Sequence, residues 1–175
     1  MIEAFPSYLE TWLTDEALPL VNEPGLEELF HAFAKAAIPP RLWNHRTHLL
    51  VSIVVLSRMS EEDGLAWLRR GIQRYNRIHG IEDGPNGGYH ETLTRFWSAM
   101  VAGSLRMLGY LTTVEKTFAI LQAFTKELPL TYYSPDLLYS DFARTDWCLP
   151  NRKPLCNNEI FSLNFQNTLA RMSAR

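Results

Sequence analysis

Residues 41–59 are the segment that most restricts the fold of this chain. They contain neither glycine nor proline, and all but one of residues 49–56 are apolar. Several of these residues are β-branched and would suit a strand, but strands seldom exceed about ten residues. The uninterrupted length therefore predicts a helix that is buried on nearly all sides. Such a helix needs other elements packed around it.

The remaining sequence is also typical of helices, because apolar residues recur at three- and four-residue intervals and no alternating strand pattern is present. Ser60 with Asp63 and Thr112 with Glu115 have the spacing of helix N-terminal caps. Ser134, Pro135 and Asp136 are typical of a helix start and predict a further helix over residues 134–144. We therefore predict an all-α fold, a compact single-domain helical bundle of about six to seven helices.

A length of 175 residues suits one domain with a hydrophobic core of its own. No low-complexity linker or internal repeat divides the chain. We expect residues 1–175 to form one helical domain, with a motif-bearing body at about 27–150 and a C-terminal tail, 151–175, packed on that body.

Composition excludes several classes of partner. The chain has 17 Lys and Arg against 19 Asp and Glu, so no excess of positive charge attracts nucleic acid or an anionic membrane. The first residues lack the basic and apolar segments of a secretory signal, and no apolar run approaches the ~20 residues that span a bilayer. We expect a cytoplasmic protein with a small-molecule substrate, without nucleic-acid or membrane partners. A homodimer is left open.

Cys148 and Cys156 are the two cysteines of the chain, and they form neither a CxxC motif nor a disulfide framework. Two free thiols in a reducing compartment are the favoured interpretation. A bridge between the two is the alternative.

His45 and His48 lie three positions apart at the predicted start of the buried helix. Residues at this spacing are neighbours on one helix face. We therefore expect the two imidazoles to point towards the protein interior from the edge of the bundle. The helix N-terminus disfavours protonated imidazole, which keeps both rings neutral and able to bind a metal. A pair of hydrogen-bonded structural histidines is the alternative.

His90 follows a loop, residues 80–88, that contains four glycines and a proline. The loop delivers His90 to another helix N-terminus, where it would complete a three-histidine set with His45 and His48. Three protein ligands and one open position are what a catalytic metal site needs. Beside this set, Tyr89 and Glu91 are the candidate catalytic groups, as acid, base or orienting residue.

Further residues near these segments are candidates for substrate binding. Arg144 is a candidate partner for a substrate carboxylate, although an ion pair with Asp141 or Asp146 is the alternative. The other candidates are mainly aromatic: Trp43, Thr94, Trp97, Tyr132 and Tyr133. Tyr132 and Tyr133 are expected at the pocket mouth, with ordinary core packing as the alternative.

Three segments resemble motifs of a widespread group of small, uncharacterised bacterial all-helical proteins: WxHxxHL, GYHxTxTxFW, and YYS followed by Ala-Arg. The matching residues are Trp43, His45, His48 and Leu49, then Gly88, Tyr89, His90, Thr92, Thr94, Phe96 and Trp97, and finally Tyr132, Tyr133, Ser134, Ala143 and Arg144. The similarity covers roughly residues 27 to 150. It implies that the three histidines belong to one site, and it implies no particular reaction.

The leading hypothesis is a metal-dependent enzyme that acts on a small, partly aromatic organic molecule. His45, His48 and His90 would bind one divalent transition metal, and all-imidazole ligation does not distinguish Fe, Cu, Zn and Ni. A redox-active metal would imply an oxidoreductase, and zinc would imply a hydrolase or lyase. The alternatives are a metal-free enzyme with His90 or His45 as general base, and a non-catalytic binding protein with structural histidines.

Overall fold

The computed structural model describes residues 5–14, 21–84 and 87–155, and the regular secondary structure in these ranges is entirely helical. The prediction of an all-α bundle is confirmed. Six helices have eight or more residues, three are shorter, and a turn of 3₁₀ helix spans Pro40–Leu42. The α-helices are α1 Ser7–Thr14, α2 Glu23–Ala34, α3 His45–Leu56, α4 Glu61–Ile78, α5 Glu91–Met107, α6 Thr113–Ala123, α7 Pro129–Tyr132, α8 Pro135–Leu138 and α9 Asp141–Thr145.

α3 is the central helix, as its apolar sequence predicts. Nearly every residue from 47 to 56 is buried, because α1, α2, α4, α5 and α6 all pack against this helix. The helix is shorter than residues 41–59. The side chain of Asn44 accepts a hydrogen bond from the backbone N–H of Thr47 at 3.1 Å and so caps the helix just before His45.

α5 packs against α3, α4, α6 and α9, and it therefore joins the centre of the bundle to the short C-terminal helices. α6 begins with the predicted capping box of Thr112 and Glu115. The prediction of one helix over residues 134–144 is wrong. Ser140 accepts a hydrogen bond from the N–H of Ala143 at 3.2 Å, and this second cap divides the segment into α8 and α9.

The first residues of the predicted tail contact the bundle. The backbone N–H of Arg152 donates to the carbonyl oxygen of Tyr132 at 2.9 Å, and its guanidinium donates to that of Leu130 at 3.0 Å. Cys148 is buried and carries a free thiol, whereas Cys156 and the rest of 156–175 lie outside the described residues. Within the described helices, none combines the length and the apolar character needed to cross a bilayer.

Candidate functional site

A cavity of about 210 Å³, which we call the histidine pocket, lies between α3, α4 and α5. His45, His48 and His90 all line it, so the structure brings the three sequence-predicted histidines to one place. The full lining comprises residues of the three helices and of the segment before α5: His45, His48, Ser52, Leu68, Ile72, Gly88, His90, Leu93, Thr94, Trp97 and Ser98.

His45 is held by the loop that follows α6. Its Nε2 lies 3.0 Å from the carbonyl oxygen of Phe124. Because a carbonyl oxygen only accepts, Nε2 carries the proton and Nδ1 carries the lone pair. Burial lowers the pKa of His45, although the Phe124 hydrogen bond and the nearby charge of Glu127 oppose that effect. The ring is therefore neutral near pH 7, with its basic nitrogen identified.

The ring of His48 contacts the indole of Trp43, with ring centroids 4.0 Å apart, and the imidazole nitrogens make no hydrogen bond within the described part of the chain. Burial, with a smaller contribution from His45, lowers the pKa of His48 to about 4. A neutral imidazole has one N–H donor and one acceptor nitrogen. Both remain available to a molecule in the pocket.

His90 has a different role, because both of its ring nitrogens are bonded to backbone groups. Nδ1 accepts from the N–H of Leu93 at 3.3 Å and caps α5, and Nε2 lies 2.9 Å from the carbonyl oxygen of Leu138. Burial is the main reason that the pKa of His90 is lowered. The ring thus ties α5 to α8 and offers no unshared nitrogen to the pocket in this conformation.

Ser98 is a pocket residue that the sequence analysis did not identify. Its side chain is 2% exposed, and its Oγ has no hydrogen-bond partner within the described residues. A buried hydroxyl without a partner is costly in a folded protein, so Ser98 brings an unmet hydrogen-bonding group to the lining of the cavity. The signal in the sequence was its spacing, since Ser98 lies one helical turn after Thr94 and on the same face.

A preformed three-histidine metal site is not evident. Among the residues that the structure describes, no three or more His, Cys, Asp and Glu side chains form a group able to hold a metal ion. In addition, both ring nitrogens of His90 are hydrogen-bonded to backbone groups in this conformation. The three-histidine metal site stays a prediction.

Tyr89 and Glu91, the candidate catalytic residues, line a second cavity, which we call the charged cleft. It has a volume of about 600 Å³ and lies between α4, α5 and α9. Its lining is rich in charged side chains. The full lining comprises Arg69, Gln73, Asp83, Tyr89, Glu91, Arg95, Phe142, Arg144, Thr145, Asp146 and Trp147.

The backbone before α5 separates the two cavities. His90 has an extended conformation, with φ −144° and ψ 105°, and successive side chains of extended backbone point to opposite sides. Gly88 and His90 therefore line the histidine pocket, whereas Tyr89 and Glu91 line the charged cleft. The structure thus places the candidate catalytic pair apart from the pocket that the candidate metal ligands line.

Glu91 is the centre of a buried polar network. Nε of Arg69 donates to its carboxylate at 2.9 Å, Nη2 of Arg69 donates to the other oxygen, and the hydroxyl of Tyr89 donates at 2.5 Å. Burial alone would raise the pKa of Glu91, but these hydrogen bonds lower it below its ordinary value. Burial and the neighbouring carboxylate raise the pKa of Tyr89. Glu91 is thus an ionised, paired carboxylate.

The predicted substrate-binding residues divide between the two cavities and the core. Thr94 and Trp97 line the histidine pocket. Trp43 stacks on Phe33, with ring centroids 5.2 Å apart, and borders neither cavity except through its contact with His48.

Tyr132 and Tyr133 line neither cavity. Both are buried against Phe96, with ring centroids at 5.4 and 6.1 Å, and the hydroxyl of Tyr133 donates to the carbonyl oxygen of Cys148 at 3.0 Å. They do not form the pocket mouth, because their rings fill the core beneath α5.

Arg144 reaches the segment before α5 and lines the charged cleft. Its Nη1 donates to the carbonyl oxygens of Gly87 and Tyr89 at 3.0 and 3.2 Å. In the described structure it forms an ion pair with neither Asp141 nor Asp146, and its hydrogen bonds go to backbone oxygens.

No family model, curated protein or solved structure matches this chain. The chemistry of the two cavities is therefore the basis for any functional conclusion. The histidine pocket offers neutral nitrogens and hydroxyls within apolar walls, and this combination is typical of small-molecule sites.

Proposed function

We propose that this chain is an enzyme that binds a small, uncharged organic molecule in the histidine pocket and uses His45 as the proton acceptor. The observation that carries the proposal is the hydrogen bond from Nε2 of His45 to the carbonyl of Phe124, which leaves Nδ1 unprotonated. A histidine oriented through one nitrogen and free at the other has the arrangement of a general base.

The pocket lining supports an uncharged substrate. None of the residues that line it in the described structure is Asp, Glu, Lys or Arg, and His45, His48 and His90 all have lowered pKa values. A charged molecule would lose its hydration there without gaining a partner of opposite charge.

The pocket volume and walls restrict the substrate further. A cavity of about 210 Å³ lies below the range of ~300–1,000 Å³ found for drug-sized ligands, so the molecule is small. Trp97 and Leu93 supply apolar surface for a flat or partly aromatic body.

His48 and Ser98 would orient the bound molecule. With a pKa of about 4, His48 is too weak a base to remove a proton efficiently near pH 7. As a neutral ring it can donate one hydrogen bond and accept another. Ser98 brings a buried hydroxyl that lacks a partner in the described structure, and a substrate oxygen or nitrogen would satisfy it.

Deuterium incorporation tests proton abstraction without knowledge of the complete reaction. Chelator-treated protein is incubated in D₂O with a panel of small uncharged ketones, lactones, amides and phenols, and after return to H₂O mass spectrometry records carbon-bound deuterium or product formation. We expect exchange or turnover of at least one compound, with His45→Gln slowing it by roughly 10²- to 10⁴-fold.

The matched control is His31→Gln, because His31 is an exposed residue of α2 paired with Glu27, and its rate should equal that of the original protein. Saturable binding without exchange or turnover would contradict the catalytic proposal and favour a non-catalytic binding protein. An unchanged rate in His45→Gln would remove His45 from the mechanism.

A second candidate is metal-dependent chemistry in the same pocket. It is favoured by the fact that His45 and His48 are neutral, share one wall of the pocket and retain available nitrogens. Rotation of His90 away from Leu93 and Leu138 would be required for the three-histidine set. The metal would supply a Lewis acid or a redox centre.

Metal analysis separates the two candidates. Protein purified without a nickel column is incubated with Fe, Cu, Zn or Ni, passed through a desalting column and analysed for bound metal. One equivalent of metal that His48→Gln abolishes would support the metal-dependent enzyme. Less than about 0.1 equivalent for all four metals, with turnover retained in chelator, would support the metal-free mechanism.

A further inference from the structure

Arg95 is a half-buried cation of the charged cleft whose charge acts on the carboxylate of Glu91, four residues earlier in the chain, without a hydrogen bond to it. Its guanidinium lies over the indole of Trp147, with the central carbon 4.9 Å from the ring centroid. It forms no ion pair or hydrogen bond with any residue that the structure describes. A guanidinium has five N–H donors in a planar fork, and that geometry matches a carboxylate or a phosphate.

The acidic residues of the cleft already have partners. Glu91 binds Arg69 and the Tyr89 hydroxyl. Asp83 accepts from the backbone N–H of Tyr89 at 2.5 Å, and Asp146 accepts from its neighbour, the Thr145 hydroxyl, at 3.1 Å. None of these carboxylates pairs with Arg95 in the described structure.

Arg144 adds a second guanidinium to the same cleft. Only its Nη1 is bonded in the described structure, to two backbone carbonyl oxygens, so its other donors remain available. The charges of Asp83 and Asp146 limit the anion that these two arginines can accept. A single negatively charged group is favoured over a polyphosphate, because further negative charge would meet those carboxylates.

The cleft also provides apolar surface and sufficient room. The ring of Phe142 borders it and is 61% exposed, so apolar surface is accessible in the cleft. A volume of about 600 Å³ lies within the range of small-molecule sites.

We propose that the charged cleft binds a small organic molecule that carries one carboxylate or phosphate group, with the oxyanion on Arg95 and Arg144 and the apolar part against Phe142. This site is separate from the histidine pocket. The two cavities bind different kinds of ligand, because the histidine pocket has a neutral lining that favours uncharged molecules and the charged cleft has arginines that favour an anion.

Titration calorimetry with benzoate, phenyl phosphate and uncharged benzamide tests the proposal. We expect saturable binding of at least one oxyanion, weakened by added NaCl, and no binding of benzamide. The preferred anion identifies the ligand class as carboxylate or phosphate. Failure of both anions to bind at up to about 20 mM, or equal binding of benzamide, would overturn the proposal.

Variants of Arg95 locate the binding site. Arg95→Gln should weaken oxyanion binding by about tenfold or more, and Arg95→Lys should weaken it less, because lysine keeps the charge but loses the planar fork. The control is Arg106→Gln, since Arg106 is exposed and paired with Glu61 away from the cleft. Circular dichroism checks that each variant is folded. Unchanged affinity in both Arg95 variants would overturn the assignment, and this result is independent of turnover in the histidine pocket.

Discussion

Arg69 of α4 and Glu91 at the start of α5 form a two-point ion pair, in which Nε and Nη2 of the guanidinium donate to the two carboxylate oxygens. The side chain of Glu91 is 10% exposed and that of Arg69 is 35% exposed. The pair therefore joins two principal helices in a partly desolvated environment, where charged hydrogen bonds are strong.

Glu91→Gln should lower the free energy of unfolding by about 1–3 kcal/mol, because it leaves Arg69 and Tyr89 with a neutral partner. Urea denaturation monitored by circular dichroism measures the change. The control is Glu61→Gln, which removes a more exposed pair with Arg106 and should cost less than about 1 kcal/mol. Equal losses in the two variants would show that burial of Glu91 does not strengthen its interactions.

Gly88→Ala should destabilise the protein by about 2 kcal/mol or more. Gly88 has φ +85°, a left-handed conformation that costs other residues about 1–2 kcal/mol. A Cβ there would also lie 2.5 Å from the backbone Cα of Asp83. Gly84→Ala is the matched control in the same loop, since its Cβ would meet no atom of the described structure within 4 Å. Thermal unfolding compares the two, and equal melting temperatures would contradict this explanation.

His90→Ala should lower the free energy of unfolding by about 2–3 kcal/mol, because it removes the α5 cap and the donor to Leu138. His90→Asn restores a capping side chain and should recover about 1 kcal/mol of that loss. Equilibrium unfolding in urea distinguishes the variants. If alanine were as stable as histidine, the capping role would be refuted.

Most of the fold could be predicted from local sequence patterns. The apolar run of α3 and the capping box of Thr112 and Glu115 depend on spacing within one segment, and the structure shows both. The break between α8 and α9 was missed, because Ser140 resembles an interior residue until its hydroxyl is seen to cap Ala143.

The candidate site was predicted only in part. His45 and His48 share a pocket because their three-residue spacing places them on one helix face. Tyr89 lines the charged cleft and not the histidine pocket because the backbone at His90 is extended. The helical pattern of that segment did not indicate an extended residue there. The hydrogen bonds from His45 to Phe124 and from His90 to Leu138 connect distant segments, so no local pattern could reveal them.

The stability of the protein should fall as the pH is lowered from 7 to 5. His48 has an ordinary pKa of 6.5 and a folded-state pKa of about 4, because burial disfavours its charged form. Between these values the unfolded chain binds the proton more readily, so acid favours unfolding, and His48 alone should cost about 2 kcal/mol over this interval. Burial lowers the pKa values of His45 and His90 as well, which adds to the loss in the same direction.

Urea titrations at pH 7, 6 and 5 measure this dependence, and the interval stops above the ordinary carboxylate range so that the histidines dominate it. His48→Gln should reduce the loss of unfolding free energy between pH 7 and pH 5 by about 2 kcal/mol. A nitrogen-15 NMR titration of the imidazoles provides a second measurement on the unmodified protein. A His48 ring that becomes protonated near pH 6.5 in the folded state would contradict the prediction, because burial would then impose no cost on its charge.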